Sequence, residues 1–376
     1  MTEGKHQSFD VAVIGAGPMG SFAAERMARH GLSVGLFEKD AHPGDSTVCA
    51  GGMHHDLVRF LDLPSTLIER ILPAFRVIIK GRTSEWRFVE PTYVTIERRR
   101  LDVFLAERAV QAGTQLLTQA QVVDVAPQRG EIAYEFGVER RRMMAHAKAI
   151  IFADGPHSLA YRVLGAPSGT KERPEYVGVE YDLAAPSNGH DALEIIPDPD
   201  SLPFGYIWVF PKRDHVNVGL ARLNSIEGPS LIGLLDRFVN QRPDLRGRRI
   251  LRRKGGVIPA RRGPILRKEN CLVIGDAAGM INPLTGGGYV CGFVSAALAA
   301  DACINAFRGD RFDVQALRQY EQKLRRTKHY ITIRVFEHVL GWMVRVYKRS
   351  KRPLYLPLLG LYFRATHIAM RFVRVI

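Results

Sequence analysis

The sequence predicts an α/β fold: a Rossmann-type nucleotide domain with an inserted antiparallel β-rich substrate domain and a basic C-terminal helical region. Three observations predict it. A strand, a glycine turn and a helix open the chain, with Gly15-Ala16-Gly17-Pro18-Met19-Gly20 at the turn. Between roughly Val177 and Leu223 the apolar pattern changes to alternation. Beyond it, Cys271 to Ile274 and the glycine run before Tyr289 return to the opening pattern.

Each element follows from its local pattern. Phe9 to Gly15 reads as a buried parallel strand, about Ser21 to His30 as a helix, and Ser33 to Phe37 as a second strand ending at Glu38. Leu101 to Ala112 is a helix, with Leu101, Phe104, Leu105 and Ala109 on its apolar face. Ala149 to Phe152 is a short buried strand just before Asp154. In the alternating region Tyr206, Trp208 and Phe210 share one strand face, and Ile207 and Val209 share the other. Tyr289 to Phe307 is the helix after the glycine run. The expected domains are residues 1–75, 99–170 and 256–325 for the nucleotide, 76–98 and 171–255 for the substrate, and 326–376 for the basic region.

Composition bounds the function. At 376 residues and 46% hydrophobic the chain can bury a substantial core, which excludes a disordered protein. The four cysteines, Cys49, Cys271, Cys291 and Cys303, have no metal spacing and form no disulfide framework, so no metal is expected. The polar start leads straight into a strand rather than a secretory signal, so a reducing, cytoplasmic location is expected. The net charge of +15 is concentrated near the end: thirteen lysines and arginines but only one acid, Glu337, lie from Lys323 onward.

The opening turn has a chemical purpose. In G-x-G-x-x-G, Gly15 permits the tight turn, Gly17 lets the backbone approach a pyrophosphate, and Gly20 lets helix and strand pack closely. The helix start then offers free N–H groups to the phosphates. Glu38, at the end of the second strand, would accept hydrogen bonds from ribose hydroxyls. Two later segments, Asp154-Gly155 with Arg162 beyond it and Gly275-Asp276-Ala277-Ala278, resemble the later FAD fingerprints of the aromatic-hydroxylase-like flavoproteins. That resemblance implies an FAD-binding domain in which Asp276 takes a ribitol hydroxyl. Both aspartates also suit helix caps. The run Asn282-Pro283-Leu284-Thr285-Gly286-Gly287-Gly288-Tyr289 suggests close backbone approach to a flat ligand, with the helix start aimed at it, or else a loop before a core helix.

Val48-Cys49-Ala50-Gly51-Gly52-Met53, Arg98-x-x-Leu101-Asp102, Tyr206-x-Trp208-x-Phe210-Pro211 and the Gly-Asp-Ala-Ala to Gly-Gly-Gly stretch together resemble the geranylgeranyl reductases, from about Phe9 to Phe307. The resemblance implies a reductase saturating carbon–carbon double bonds of a prenyl chain by hydride from reduced FAD. It implies FAD contacts at Met19, Glu38, Cys49, Ala50, Gly52, Arg98, Val122, Asp276, Gly288 and Tyr289. Gly15, Gly17, Gly20 and Asp154 join them from the nucleotide motifs. It implies prenyl contacts at Tyr206, Trp208 and Phe210, although aromatics are also ordinary strand core residues. Cys49 is the candidate catalytic proton donor; otherwise it is a structural cysteine. Two departures bear on the pocket: Gly219-Leu220-Ala221 stands where the family has Gly-x-Gly, and Tyr289 where isoleucine is usual.

Two other readings share these fingerprints: a flavin-dependent monooxygenase on an apolar substrate, and a membrane-associated flavoprotein relaying electrons to quinone. The implied partners are a prenyl lipid or prenylated pigment, and an electron donor left open between NAD(P)H and a ferredoxin-like carrier. From Trp342 onward apolar and cationic residues mix, and Pro353 to Phe363 is too short to span a bilayer. This tail reads as interfacial helices on an anionic membrane, or as a solvated basic helix. No nucleic-acid motif accompanies the charge, so nucleic acid is not an expected partner.

Overall fold

The computed structural model describes residues 7–87, 92–165, 174–184, 191–261, 263 and 265–350. The chain divides into two compact units. The first comprises Met1–Thr47, Arg99–Arg173 and Arg261–Glu337; the second comprises Val48–Arg98, Pro174–Ala260 and His338–Ile376.

The first unit is built on an eight-stranded sheet. Gln7–Ile14 lies at its centre, parallel to Val34–Phe37 on one side and to Arg141–Phe152 on the other. Gln115–Leu117 extends it beyond Val34–Phe37, and Cys271–Val273 beyond Arg141–Phe152, both in parallel. Where they are buried on both faces, at residues 11–14, 34–37, 149–152 and 271–273, these strands read as continuous apolar runs, and Val11, Ala12 and Val13 are fully enclosed. The helix Pro18–Ala28 starts at the glycine turn, with Pro18 fitting the first helical position, where its missing N–H leaves no bond unmade. The helix Tyr289–Ala306 packs beside it through Phe22 and Phe293, whose rings meet edge-on at 5.4 Å. That helix is long and apolar enough to cross a membrane, but over half of it is buried within the protein, as in a core helix.

The second unit holds a seven-stranded sheet and a three-stranded one. The larger runs Ile250–Pro259, Glu175–Ala184, His215–Leu223, Gly205–Pro211, Ala192–Ile196, Ala74–Ile79 and Arg82–Arg87. All its neighbours are antiparallel except Ala192–Ile196 with Ala74–Ile79, which are parallel. Those two strands come from separate chain segments, so no hairpin dictates their direction. One face packs on the helix Leu231–Gln241, where Ile207, Val209, Val218 and Leu220 form a core with Leu234, Leu235 and Val239.

Residues 48–75 are expected in the nucleotide domain. They fall instead in the second unit, because Gly52–His54 and Ile68–Leu72 both pair with Tyr93–Ile96 in the three-stranded sheet. The basic region forms the helices Arg318–Arg326 and Lys328–Ser350. The Pro353 to Phe363 segment lies outside the described residues.

Candidate functional site

Within the first unit the three nucleotide segments converge. Gly15 has φ +101, and the tight turn brings the Gly20 backbone so close that a Cβ there would lie 2.0 Å from the Gly15 carbonyl oxygen. Open space surrounds the α-carbon of Gly17 on its side-chain side. Gly17 caps the first helix with no side-chain hydrogen bond, so its leading N–H groups have no side-chain acceptor. Glu38 is buried, and its carboxylate accepts from the Ala16 and Asp40 N–H groups, each at 2.9 Å. Burial pushes its carboxyl above the usual range, against the pull of those two bonds.

Asp154 follows the strand Arg141–Phe152, and its Oδ2 accepts from Leu159 N–H at 2.7 Å. Its Oδ1 is buried without a hydrogen-bond partner among the described residues, and burial raises this carboxyl too. Asp276 is the one residue from Cys271 to Met280 that is not buried, and a Cβ on Gly288 would lie 3.5 Å from its Oδ1. Met19 lies against Gly275 and Gly292, tying the first turn to the third. Gly288 caps the helix Tyr289–Ala306, again with no side-chain bond, and Tyr289 stacks parallel to Phe293 at 6.4 Å. Val122 pairs with Tyr134, whose ring meets Phe37 next to Glu38. Helix starts without side-chain caps, a buried carboxylate at the second strand's end and an unsatisfied acceptor at Asp154 fit the pyrophosphate and hydroxyls of FAD.

The second unit brings together the rest: Cys49, Ala50, Gly52, Arg98, Tyr206, Trp208 and Phe210. Arg98 begins the helix Arg98–Gln111. The Phe210 ring packs onto Gly52, where a Cβ would meet it at 2.7 Å. Cys49 Sγ accepts from Gly51 N–H at 3.3 Å, and Ile96 N–H donates to Gly51 C=O at 2.9 Å. The aromatic strand and the cysteine turn are therefore neighbours. Tyr206 and Trp208 share its face with rings 6.1 Å apart, and the Trp208 indole lies over Gly219. Ala221, the departure from Gly-x-Gly, stands opposite Tyr206.

Sequence reasoning missed a set of charges behind this strand. Trp208 Nε1 donates to Asn217 at 2.7 Å, and Asn217 donates to Asp182 at 2.8 Å. Arg252 and Lys254 stand 2.8 and 3.4 Å from Asp182, and Lys254 is 3.6 Å from Glu180. His215 lies 3.8 Å from Asp182 and 3.2 Å from Glu97. Glu97 also meets Arg252 at 3.1 Å and Lys212 at 3.8 Å. Although burial opposes it, the close approach of His215 and the nearby Lys212 and Arg252 charges hold the Glu97 carboxyl at about 2. His215 is raised, because Glu97 and Asp214 outweigh its burial. The available signal was acids and a lysine, Glu180, Asp182 and Lys212, lying in or just after the alternating strands. Among the described residues, no group of three or more His, Cys, Asp or Glu side chains could hold a metal ion.

Comparison with known proteins gives the family to which these segments belong. Residues 10–158 match the FAD dependent oxidoreductase family, and residues 176–258 match the geranylgeranyl reductase catalytic domain. Digeranylgeranylglycerophospholipid reductase 2 of Methanothermobacter thermautotrophicus is 32% identical over 334 residues, covering 85% of this chain and 83% of the relative. Digeranylgeranylglycerophospholipid reductase of Methanococcus vannielii is 30% identical over 335 residues, covering 86% and 84%. A crystal structure of a geranylgeranyl bacteriochlorophyll reductase-like protein from Thermoplasma acidophilum superposes with a TM-score of 0.80 at 25% identity, covering 88% of this chain and 87% of that one.

Proposed function

The chain belongs to the geranylgeranyl reductase family of FAD-dependent oxidoreductases, and from that premise we propose that it saturates carbon–carbon double bonds of a geranylgeranyl-type prenyl chain. FAD, reduced and bound, supplies the hydride. The observation that carries the reading is the join within the second unit between the aromatic strand and the cysteine turn, where Phe210 lies on Gly52 two residues beyond the Asn217-anchored Trp208. Tyr206, Trp208 and Phe210 offer an apolar face to a prenyl chain, and Cys49 beside them is the proton donor for the second alkene carbon. Fixing Trp208 through Asn217 and Asp182 orients that face before substrate arrives, which lowers the entropy cost of alignment.

The finer partners form part of the same proposal. The substrate is a prenyl lipid or prenylated pigment, reached from the cytoplasmic side of an anionic membrane. On the helix Lys328–Ser350, Ile331, Val335 and Trp342 are about half exposed and lie on one stripe with Arg334, His338 and Arg345. Tyr330, Ile333, Leu340 and Met343 are buried on the opposite side. Apolar groups interleaved with cations suit an anionic bilayer surface.

The decisive experiment is anaerobic turnover. FAD-loaded protein reduced with dithionite is given geranylgeranyl-chain lipids, and the product is weighed by mass spectrometry. A gain of two hydrogens per double bond is expected, and Cys49→Ala should retain FAD but lose most turnover. Product that appears only with oxygen points to a monooxygenase and sinks the proposal. Quinone reduction with prenyl lipids untouched points to an electron relay and sinks it equally.

A further inference from the structure

Lys212 follows directly on the aromatic strand, yet its side chain is among the most deeply enclosed in the protein, at 1% exposure. An ammonium group gives up its hydration on burial and stays only where partners replace it. Its amine donates to the Ile96 carbonyl and stands 3.8 Å from Glu97. It also abuts the cysteine turn: a Cβ on Gly51 would lie 2.5 Å from Nζ. Gly51 has φ +74, and its N–H is the group that donates to Cys49 Sγ. One amine thus bonds Ile96 and abuts Gly51, the two residues that pair here, in the turn whose Gly51 N–H reaches the sulfur.

We infer that Lys212 is a positioning residue for Cys49: its ammonium pins the Cys49–Gly52 turn to Ile96 and sets the charge that the sulfur faces. This rests on the proposed reading only in giving Cys49 a proton to transfer. The charged groups around the amine are consistent with it. Burial lowers the Lys212 pKa, and Glu97, then Cys49, Asp182 and Glu180, push the other way. Behind them His215, Arg252 and Lys254 offset the three carboxylates, so the cluster keeps its net charge small while one cation faces the turn. Asp214 balances His215 from the exposed side at 2.8 Å. A methionine of similar length would fill the space without the charge. A glutamine would keep a donor for Ile96 without the charge.

The test reads Cys49 directly. Full-length, FAD-loaded protein is treated with methyl methanethiosulfonate at neutral pH, and the rate of modification is quantified by mass spectrometry of the peptide carrying Cys49. Cys303, which burial pushes up to about 12, is the internal reference. Removing the charge and its hold on the turn, Lys212→Met and Lys212→Gln should each slow Cys49 modification at neutral pH by about tenfold or more. Flavin absorbance reports whether each variant keeps its fold. A Cys49 modification rate unchanged in either folded variant overturns the inference, as does a wild-type Cys49 no more reactive than Cys303. Because no prenyl substrate is present, a failure here stays distinct from a failure of prenyl saturation.

Discussion

Glu97→Gln should destabilise the protein by an amount that depends on pH in a calculable way. The Glu97 carboxyl is held at about 2 against an ordinary value of 4.5. At ~1.4 kcal/mol per pH unit, that difference corresponds to about 3 kcal/mol of folding stability, taken as an upper bound. The side chain is 18% exposed, so solvent screening removes only part of it. Because the folded value is depressed, the contribution is complete above 4.5 and fades as pH falls toward about 2. His215 runs the other way: raised in the fold by Glu97 and Asp214, its contribution is complete below 6.5 and is lost as pH rises through its folded value. Both contributions are therefore present between 4.5 and 6.5. Urea denaturation at pH 6 should show a loss of about 2–3 kcal/mol in the variant, shrinking by about two-fifths at pH 3.5. An equal loss at both pH values would mean that shape, and not charge, makes Glu97 matter, and would refute the argument.

Gly20→Ala should yield nearly colourless protein, since the new Cβ meets the Gly15 carbonyl oxygen at 2.0 Å and must push the helix off the strand, at a cost of about 1–3 kcal/mol; full flavin absorbance per mole of protein would contradict this. Ile331→Ser with Trp342→Ser should reduce co-sedimentation with phosphatidylserine vesicles several-fold at low salt while leaving flavin content intact; undiminished binding would place the membrane contact elsewhere.

Local signals made the first unit legible. Gly15 to Gly20 and Glu38 lie within one strand–helix–strand unit, and Gly-Asp at 275–276 sits at a strand end, so spacing along the chain alone reports their positions. The pleat of Gly205–Pro211 was equally readable: Ile207 and Val209 do face the helix-packed core, and Tyr206 and Trp208 the opposite side. The charge cluster was not readable, because it exists only through register. Asp182 reaches Asn217 and Arg252 because Glu175–Ala184 lies between His215–Leu223 and Ile250–Pro259 and stands opposite both partners. Three separate stretches must be aligned to within one residue before those charges meet, and alternation fixes a strand's faces without fixing its partners.

Gly51 shows why such non-local contacts decide function as well as fold. Read along the chain it is one of two glycines after a cysteine, a turn signal and nothing more. In the fold a Cβ there would collide with the Ile96 carbonyl oxygen at 2.1 Å and with the Lys212 amine at 2.5 Å. The missing side chain is what lets a lysine from the end of one strand reach a backbone carbonyl on another while abutting the residue whose N–H reaches the sulfur. A cysteine turn becomes a chemical device only when a buried cation can approach it. That approach needs three things at once: the left-handed turn at Gly51, the pairing that brings Ile96 to it, and the strand that delivers Lys212.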